Sequence, residues 1–233
     1  MTLLAELNNF IPLVAGKAHS SLDAMANTAE LAAKAITDKI PGDFVECGVF
    51  GGVHCALMAK AIMLSQRQES RRVHLFDSFQ GIPEAGPKDA EWPGIGARPG
   101  VDKSGRLRST GVSVCSRRQV EEHMAAWGID PRLLVYHEGW FQETLAEIAR
   151  RREDFGAAFS DPTEIAILRL DGDLYESTKV CLEHLYPNLV RGGLCIVDDY
   201  ALEGCRAACL EYFDGEPEGL TEIGGGPVWW EKI

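Results

Sequence analysis

Residues 164–178 read EIAILRLDGDLYEST. The run from Ile165 to Leu170 has the length of a buried strand, and it stops at two acids, Asp171 and Asp173, spaced by one glycine. Residues 194–201, LCIVDDYA, repeat the pattern, with an apolar run ending at Asp198 and Asp199. Four carboxylates brought together would repel one another unless something cationic sat among them. An open α/β sheet accounts for the placement, because ligands there bind outside the carboxyl ends of the strands.

Along the chain, apolar strands and helical segments alternate. DFVECGVFGG is a strand entering a glycine-rich turn, and VHCALMAKAIMLSQ is the helix after it. RVHLFDSF is a second strand, ending at Asp77, and RLLVYHEGW a third. SRRQVEEHMAAWGI, with Ser116 as cap, and FQETLAEIARRRE are helices on either side of the third strand. ESTKVCLEHLY is helical and ends near Pro187, after which Gly192-Gly193 turns the chain into the fifth strand, LCIVDDY. EGCRAACLEYFDG is the next helix, and LTEIGGGPVWWEKI reads as two antiparallel strands joined by a glycine turn. The expected fold is α/β, a mostly parallel sheet with helices on both faces and right-handed crossovers. Residues 1–40 read as a helical extension, with Ser20 or Ser21 as an N-cap; residues 41–233 read as the main domain. Within it, residues 80–112 are dense in Gly and Pro without periodicity, which predicts a lid loop, with Trp92 and Arg98 as acceptor contacts.

The formal net charge of −12 argues against nucleic acid or an anionic membrane as partner, since phosphate contacts need clustered Lys and Arg. Seven cysteines, none in a CxxC pair, read as reduced buried thiols in a cytoplasmic protein. The N-terminus lacks a basic n-region, and no apolar stretch approaches a membrane span. The amphipathic N-terminal helices offer a face to a second copy of the chain, and a homodimer is expected.

The strand ends carry the chemistry. Gly48, Gly51 and Gly52 follow the first strand, where glycine lets the backbone approach a ligand. The pattern is not the dinucleotide fingerprint, and Glu46 before it is unfavourable for a pyrophosphate but suits an ammonium group. Asp77 can accept hydrogen bonds from a ribose diol. A nucleoside bearing an ammonium and a cationic sulfonium, S-adenosylmethionine, fits both features; a nicotinamide-dependent oxidoreductase shares the fold class but needs neither acid pair. The carboxylates ending strands four and five stand on neighbours ~4.8 Å apart, and their all-oxygen chemistry suits Mg²⁺.

These stretches together resemble the macrocin O-methyltransferase family. PGDFVECGVFGG, FDSFQGIP, GWFQETL, LRLDGDLYEST, LYPNLVRGGLCIVDDY and VWWEKI occur in family order across residues 41–233. The resemblance implies a class I methyltransferase fold, Rossmann-like, with a seven-stranded sheet and an antiparallel last strand. It implies S-adenosylmethionine- and Mg²⁺-dependent methylation of a hydroxyl on a small molecule, a sugar or glycosylated natural product, with a phenolic acceptor as the alternative. It implies Asp171, Asp198 and Asp199 as metal ligands. Glu46, Gly48, Asp77 and Ser78 would face the cofactor, and Gly139, Trp140 and Phe141 would line the adenine pocket. Phe50 and Gly51 stand where antibiotic enzymes of the family carry an aromatic-Arg pair, a difference that touches the acceptor. A lysine base is absent after the first metal acid, so Asp171 is expected to act as ligand and general base.

Overall fold

The computed structural model describes residues 2–65, 71–89, 107–156, 158 and 161–233. Two N-terminal helices, α1 (Leu3–Val14) and α2 (Leu22–Thr37), precede strand β1 (Asp43–Cys47). Then follow α3 (Val53–Leu64), β2 (Val73–Asp77), α4 (Arg117–Ala126), β3 (Leu134–Glu138), α5 (Phe141–Phe155), β4 (Ile165–Leu170), α6 (Tyr175–Leu185), β5 (Leu189–Val197), α7 (Glu203–Phe213), β6 (Thr221–Glu222) and β7 (Val228–Glu231). The caps are local. Ser21, rather than Ser20, accepts from Ala24 N–H to start α2, and Ser116 forms a capping box with Gln119 at α4.

The seven strands lie in the order β3-β2-β1-β4-β5-β7-β6. β1 to β5 run parallel; β7 is antiparallel to both of its neighbours, as the glycine-rich hairpin predicts. Strand order reverses between β1 and β4, which opens a crevice at their carboxyl ends. β4 is buried along its whole length, as a strand covered by helices on both faces must be. One face packs under α1, α2, α3 and α4 in a cluster that includes Leu7, Val14, Met25, Leu57, Val120 and Leu194. The other packs under α5, α6 and α7, around Leu145, Leu182, Val197 and Trp230. All seven cysteines are buried free thiols. Among the described residues no helix is long and apolar enough to cross a membrane.

Two expectations change. β5 starts at Leu189, so Gly192 and Gly193 lie inside it rather than before it. They accommodate a register shift against β4, and they pair with the end of the chain: Gly192 N–H donates to Lys232 O at 2.7 Å and Lys232 N–H to Gly193 O at 2.8 Å. The segment 80–112 is not structureless at its two ends. Ile82 and Glu84 form an antiparallel ladder with Arg108, Thr110 and Val112. Asp89 docks one end on the body by capping α6 at Tyr175 N–H, 2.8 Å. Trp92 and Arg98 lie outside the described residues.

Candidate active site

The carboxyl ends of β1, β2, β4 and β5 open into one cavity of about 320 Å³. Gly48, Asp77, Ser78, Trp140, Phe141, Asp171, Asp198 and Asp199 line it, and so does Asp173. Glu46 and Gly139 do not. Gly139 instead turns the chain after β3 in the left-handed region, with its N–H bonded to Asp77 O at 2.9 Å. The size is at the lower end for a small-molecule site.

The glycine turn is dictated by contact as well as by conformation. Gly48 has φ +91°, and a methyl group on it would overlap the carbonyl oxygen of Asp171. The β1 and β4 loops therefore touch backbone to backbone at the switch point. Asp77 holds the turn: Oδ2 accepts Val49 N–H at 2.7 Å and Phe50 N–H at 3.2 Å, while Oδ1 accepts Phe79 N–H at 2.6 Å. Burial raises its pKa against these three amides. Ser78 accepts Gln80 N–H and donates to Gly81 O, turning the chain into the loop stem.

Asp171, Asp198 and Asp199 each offer an oxygen within 4.8 Å of the other two. Among the described residues, the cation paired with this cluster is Arg169. The guanidinium is fully buried; Nε donates to Glu46 Oε1 at 3.0 Å, and one terminal nitrogen donates to Asp171 Oδ2 at 2.9 Å and Asp198 Oδ1 at 2.6 Å. Glu46 lies beneath the cavity floor, 1% exposed, with its other oxygen accepting the Cys55 thiol at 2.7 Å. Burial pushes Glu46 up to about 7 despite the pull of Arg169. Burial would lower Arg169, but Asp198, Asp171 and Glu46 together hold its pKa above the usual arginine value.

One guanidinium does not balance four acids. Burial and the Asp198 charge push Asp171 well up, and burial with Asp173 and Asp198 does the same to Asp199. An all-carboxylate set short of positive charge fits a hard divalent cation such as Mg²⁺, with Asp171, Asp198 and Asp199 as its holders. Asp173 stands apart from the three. Its backbone is left-handed, φ 60°, and its N–H donates to Asp199 Oδ2 at 2.9 Å, which orients that carboxylate.

The sequence reading missed two parts of the site. Arg169 was absorbed into the apolar strand, although a charge in an otherwise apolar, doubly covered strand was itself a signal. The other part is the strap between α1 and α2. Lys17, Ala18, His19 and Ser20 form a wall of the cavity, and His54 on the first turn of α3 lines it too.

The model of the macrocin-O-methyltransferase (TylF) family matches residues 17–232, from the strap to the end of β7. The chain belongs to this family. It is 35% identical over 198 residues to the 8-demethyl-8-(2,3-dimethoxy-alpha-L-rhamnosyl)-tetracenomycin-C 4'-O-methyltransferase of Streptomyces olivaceus, covering 84% of this chain and 67% of that protein. It is 31% identical over 204 residues to the mycinamicin III 3''-O-methyltransferase of Micromonospora griseorubida, covering 85% and 71%. Among solved structures, the O-methyltransferase NovP superposes with a TM-score of 0.77 at 27% identity over 98% of both chains. The family and these relatives make the chain an S-adenosylmethionine-dependent O-methyltransferase. The class I fold expected from the sequence is the one observed.

Proposed function

We propose that this O-methyltransferase acts, with Mg²⁺, on a sugar hydroxyl of a glycosylated natural product. The observation that carries the reading is the Asp171, Asp198 and Asp199 triad in the same cavity as the Gly48 turn and Asp77. The names of two curated relatives, one a methyltransferase of a rhamnosyl-tetracenomycin at the 4' position and one of mycinamicin III at the 3'' position, support the acceptor class.

The order of strand ends supports one order for the ligand. Trp140 and Phe141 stand after β3 as an aromatic surface for adenine. Asp77 ends β2 and Ser78 follows it, at the ribose. The Gly48 turn stands after β1 against the amino-acid tail, and the acid triad after β4 and β5 marks where the methyl group and acceptor meet. Asp77 already accepts three backbone amides, so it offers the ribose one remaining lone pair and mainly fixes the turn. A divalent cation on the triad would supply positive charge to the acceptor oxygen as its proton departs.

The chain's residues do the rest. Arg169 occupies Asp171 Oδ2, so Oδ1 is the oxygen that takes the acceptor's proton. The Asp171 carboxylate serves as the general base for that proton. The methyl carbon moves from sulfur to the acceptor oxygen, and the hydroxyl proton goes to Asp171 and then to solvent. Asp173 N–H holds Asp199 in place, and Arg169 holds Asp171 and Asp198.

Isothermal titration of S-adenosylhomocysteine, with Mg²⁺ and then with EDTA, tests the cofactor. A screen of glycosides bearing free sugar hydroxyls, run with metal and with chelator, tests the acceptor and the metal. Micromolar cofactor binding and turnover lost on chelation support the reading; chelator-insensitive turnover removes the metal.

A further inference from the structure

Ser20, His54 and Thr28 form a hydrogen-bonded line that ends in the cavity. Ser20 Oγ lies 2.7 Å from His54 Nε2, and Thr28 Oγ1 lies 2.9 Å from His54 Nδ1. The direction of the protons follows from the far end. Thr28 gives its only hydroxyl proton to Ala24 O, one turn back in α2 at 3.1 Å. With that proton committed to Ala24 O, Thr28 accepts from His54, and this assignment puts the ring proton on Nδ1. Nε2 is left with a lone pair, and Ser20 donates its own proton there. What Ser20 turns to the cavity is then two lone pairs and no proton.

His54 is buried, and Thr28 is wholly so, so the line does not rearrange with solvent. Burial, with Arg169 nearby, also keeps the imidazole neutral by lowering its pKa, as this arrangement requires. The strap that carries Ser20 is fixed along its length. A side chain at Gly51 would overlap the Lys17 carbonyl oxygen, and the His19 ring lies on Phe50 with centroids 4.0 Å apart. Ser20 is thus held against the β1 turn, at the station of the cofactor's amino-acid tail. That tail offers one donor, the ammonium, and one acceptor, the carboxylate. Glu46, expected from the sequence to meet the ammonium, is committed to Arg169 and Cys55 and does not reach the cavity.

We propose that Ser20, oriented as a pure acceptor by His54 and Thr28, recognises the ammonium group of S-adenosylmethionine. This rests on the cofactor reading above. Ser20 is the binding residue; His54 and Thr28 are positioning residues that decide which way its proton points.

The test is titration of two ligands, S-adenosylhomocysteine and its analogue lacking only the amino group, into wild type, Ser20→Ala, Ser20→Thr and Thr28→Val. Ser20→Ala should weaken S-adenosylhomocysteine by about 10- to 100-fold, the range for a hydrogen bond to a charged group, and leave the deaminated analogue unchanged. Ser20→Thr keeps the hydroxyl and should bind both ligands as wild type does. Thr28→Val should show a smaller loss with the same preference. Equal losses for both ligands would mean a structural role and overturn the proposal. So would unchanged cofactor binding with a raised acceptor KM, which would assign Ser20 to the acceptor. If wild type binds neither ligand, the cofactor reading falls first and the proposal with it; a failure confined to the variants leaves that reading standing.

Discussion

Replacing Arg169 with methionine removes the charge and keeps most of the length of the side chain. Three carboxylates lose their partner, but they do not weigh equally. Asp171 and Asp198 open on the cavity, at 27% and 16% side-chain exposure, and can be hydrated or protonated there. Glu46 cannot be hydrated; left buried beside the Cys55 thiol, it must stay an uncompensated charge or take up a proton. Removing one partner of a buried pair costs about 3–5 kcal/mol, and Glu46 carries most of that. In a chain of this length each kcal/mol lowers the melting temperature by about 2–4 °C, so Arg169→Met should melt about 6–20 °C below wild type. Calorimetry on wild type, Arg169→Met, Glu46→Gln and the double variant forms a thermodynamic cycle. The double variant should melt above Arg169→Met, because it leaves no uncompensated charge at the bottom of the site. An Arg169→Met protein melting within about 2 °C of wild type would refute the assignment of Arg169 as counter-ion to the acids.

Three further outcomes follow from the geometry. Gly48→Ala should abolish measurable S-adenosylhomocysteine binding, since its methyl group displaces the Asp171 loop; binding within a few-fold of wild type by titration would contradict the close approach. Asp199→Asn should weaken Mg²⁺ binding at least about 10-fold by calorimetry while the melting temperature stays near that of wild type, and unchanged metal affinity would take Asp199 out of the triad. His137 stacks on Phe76 and bonds His74 at 3.0 Å, and burial, with His74 and Arg151, pulls its pKa down to about 3. The unfolded imidazole titrates near about 6.5, so the native state binds fewer protons between those values. Stability should therefore fall as pH drops from about 6.5 toward 3, by at most ~1.4 kcal/mol per pH unit from this residue. His137→Gln should flatten that slope in urea unfolding measured across this range, and an unaltered slope would refute it.

The parallel sheet was legible because its strands are short apolar runs that end in Gly or acid, a pattern helices do not share. The gathering of acids at the ends of β4 and β5 was legible for the same reason, since a carboxylate just past a buried strand has few structural uses; the choice of Asp171, Asp198 and Asp199 among them came from the family resemblance. Glu46 was misplaced because its position in the chain fixes its strand but not its depth. On a strand, alternate residues face opposite layers, and only Arg169 on the neighbouring β4, paired in register with it, explains why a carboxylate could be buried there. The strap was invisible for a different reason. Ser20 and His54 are 34 residues apart and meet only because α2 packs on α3. The glycines of β5 misled because Gly-Gly favours turns locally, and the long-range pairing with Lys232 overrides that preference.

The seven buried thiols make this protein its own reporter of opening. Reaction with a thiol reagent requires exposure, so each cysteine times the breathing of the layer that covers it. Cys55 sits under the β1 turn with its thiol on Glu46, whereas Cys47, Cys181, Cys195, Cys205 and Cys209 belong to the layer of α5, α6 and α7. If ligand binding tightens the turn, labelling of Cys55 should slow while the second group keeps its rate. A single peptide map of labelled protein would then separate local stiffening at the site from stabilisation of the whole chain.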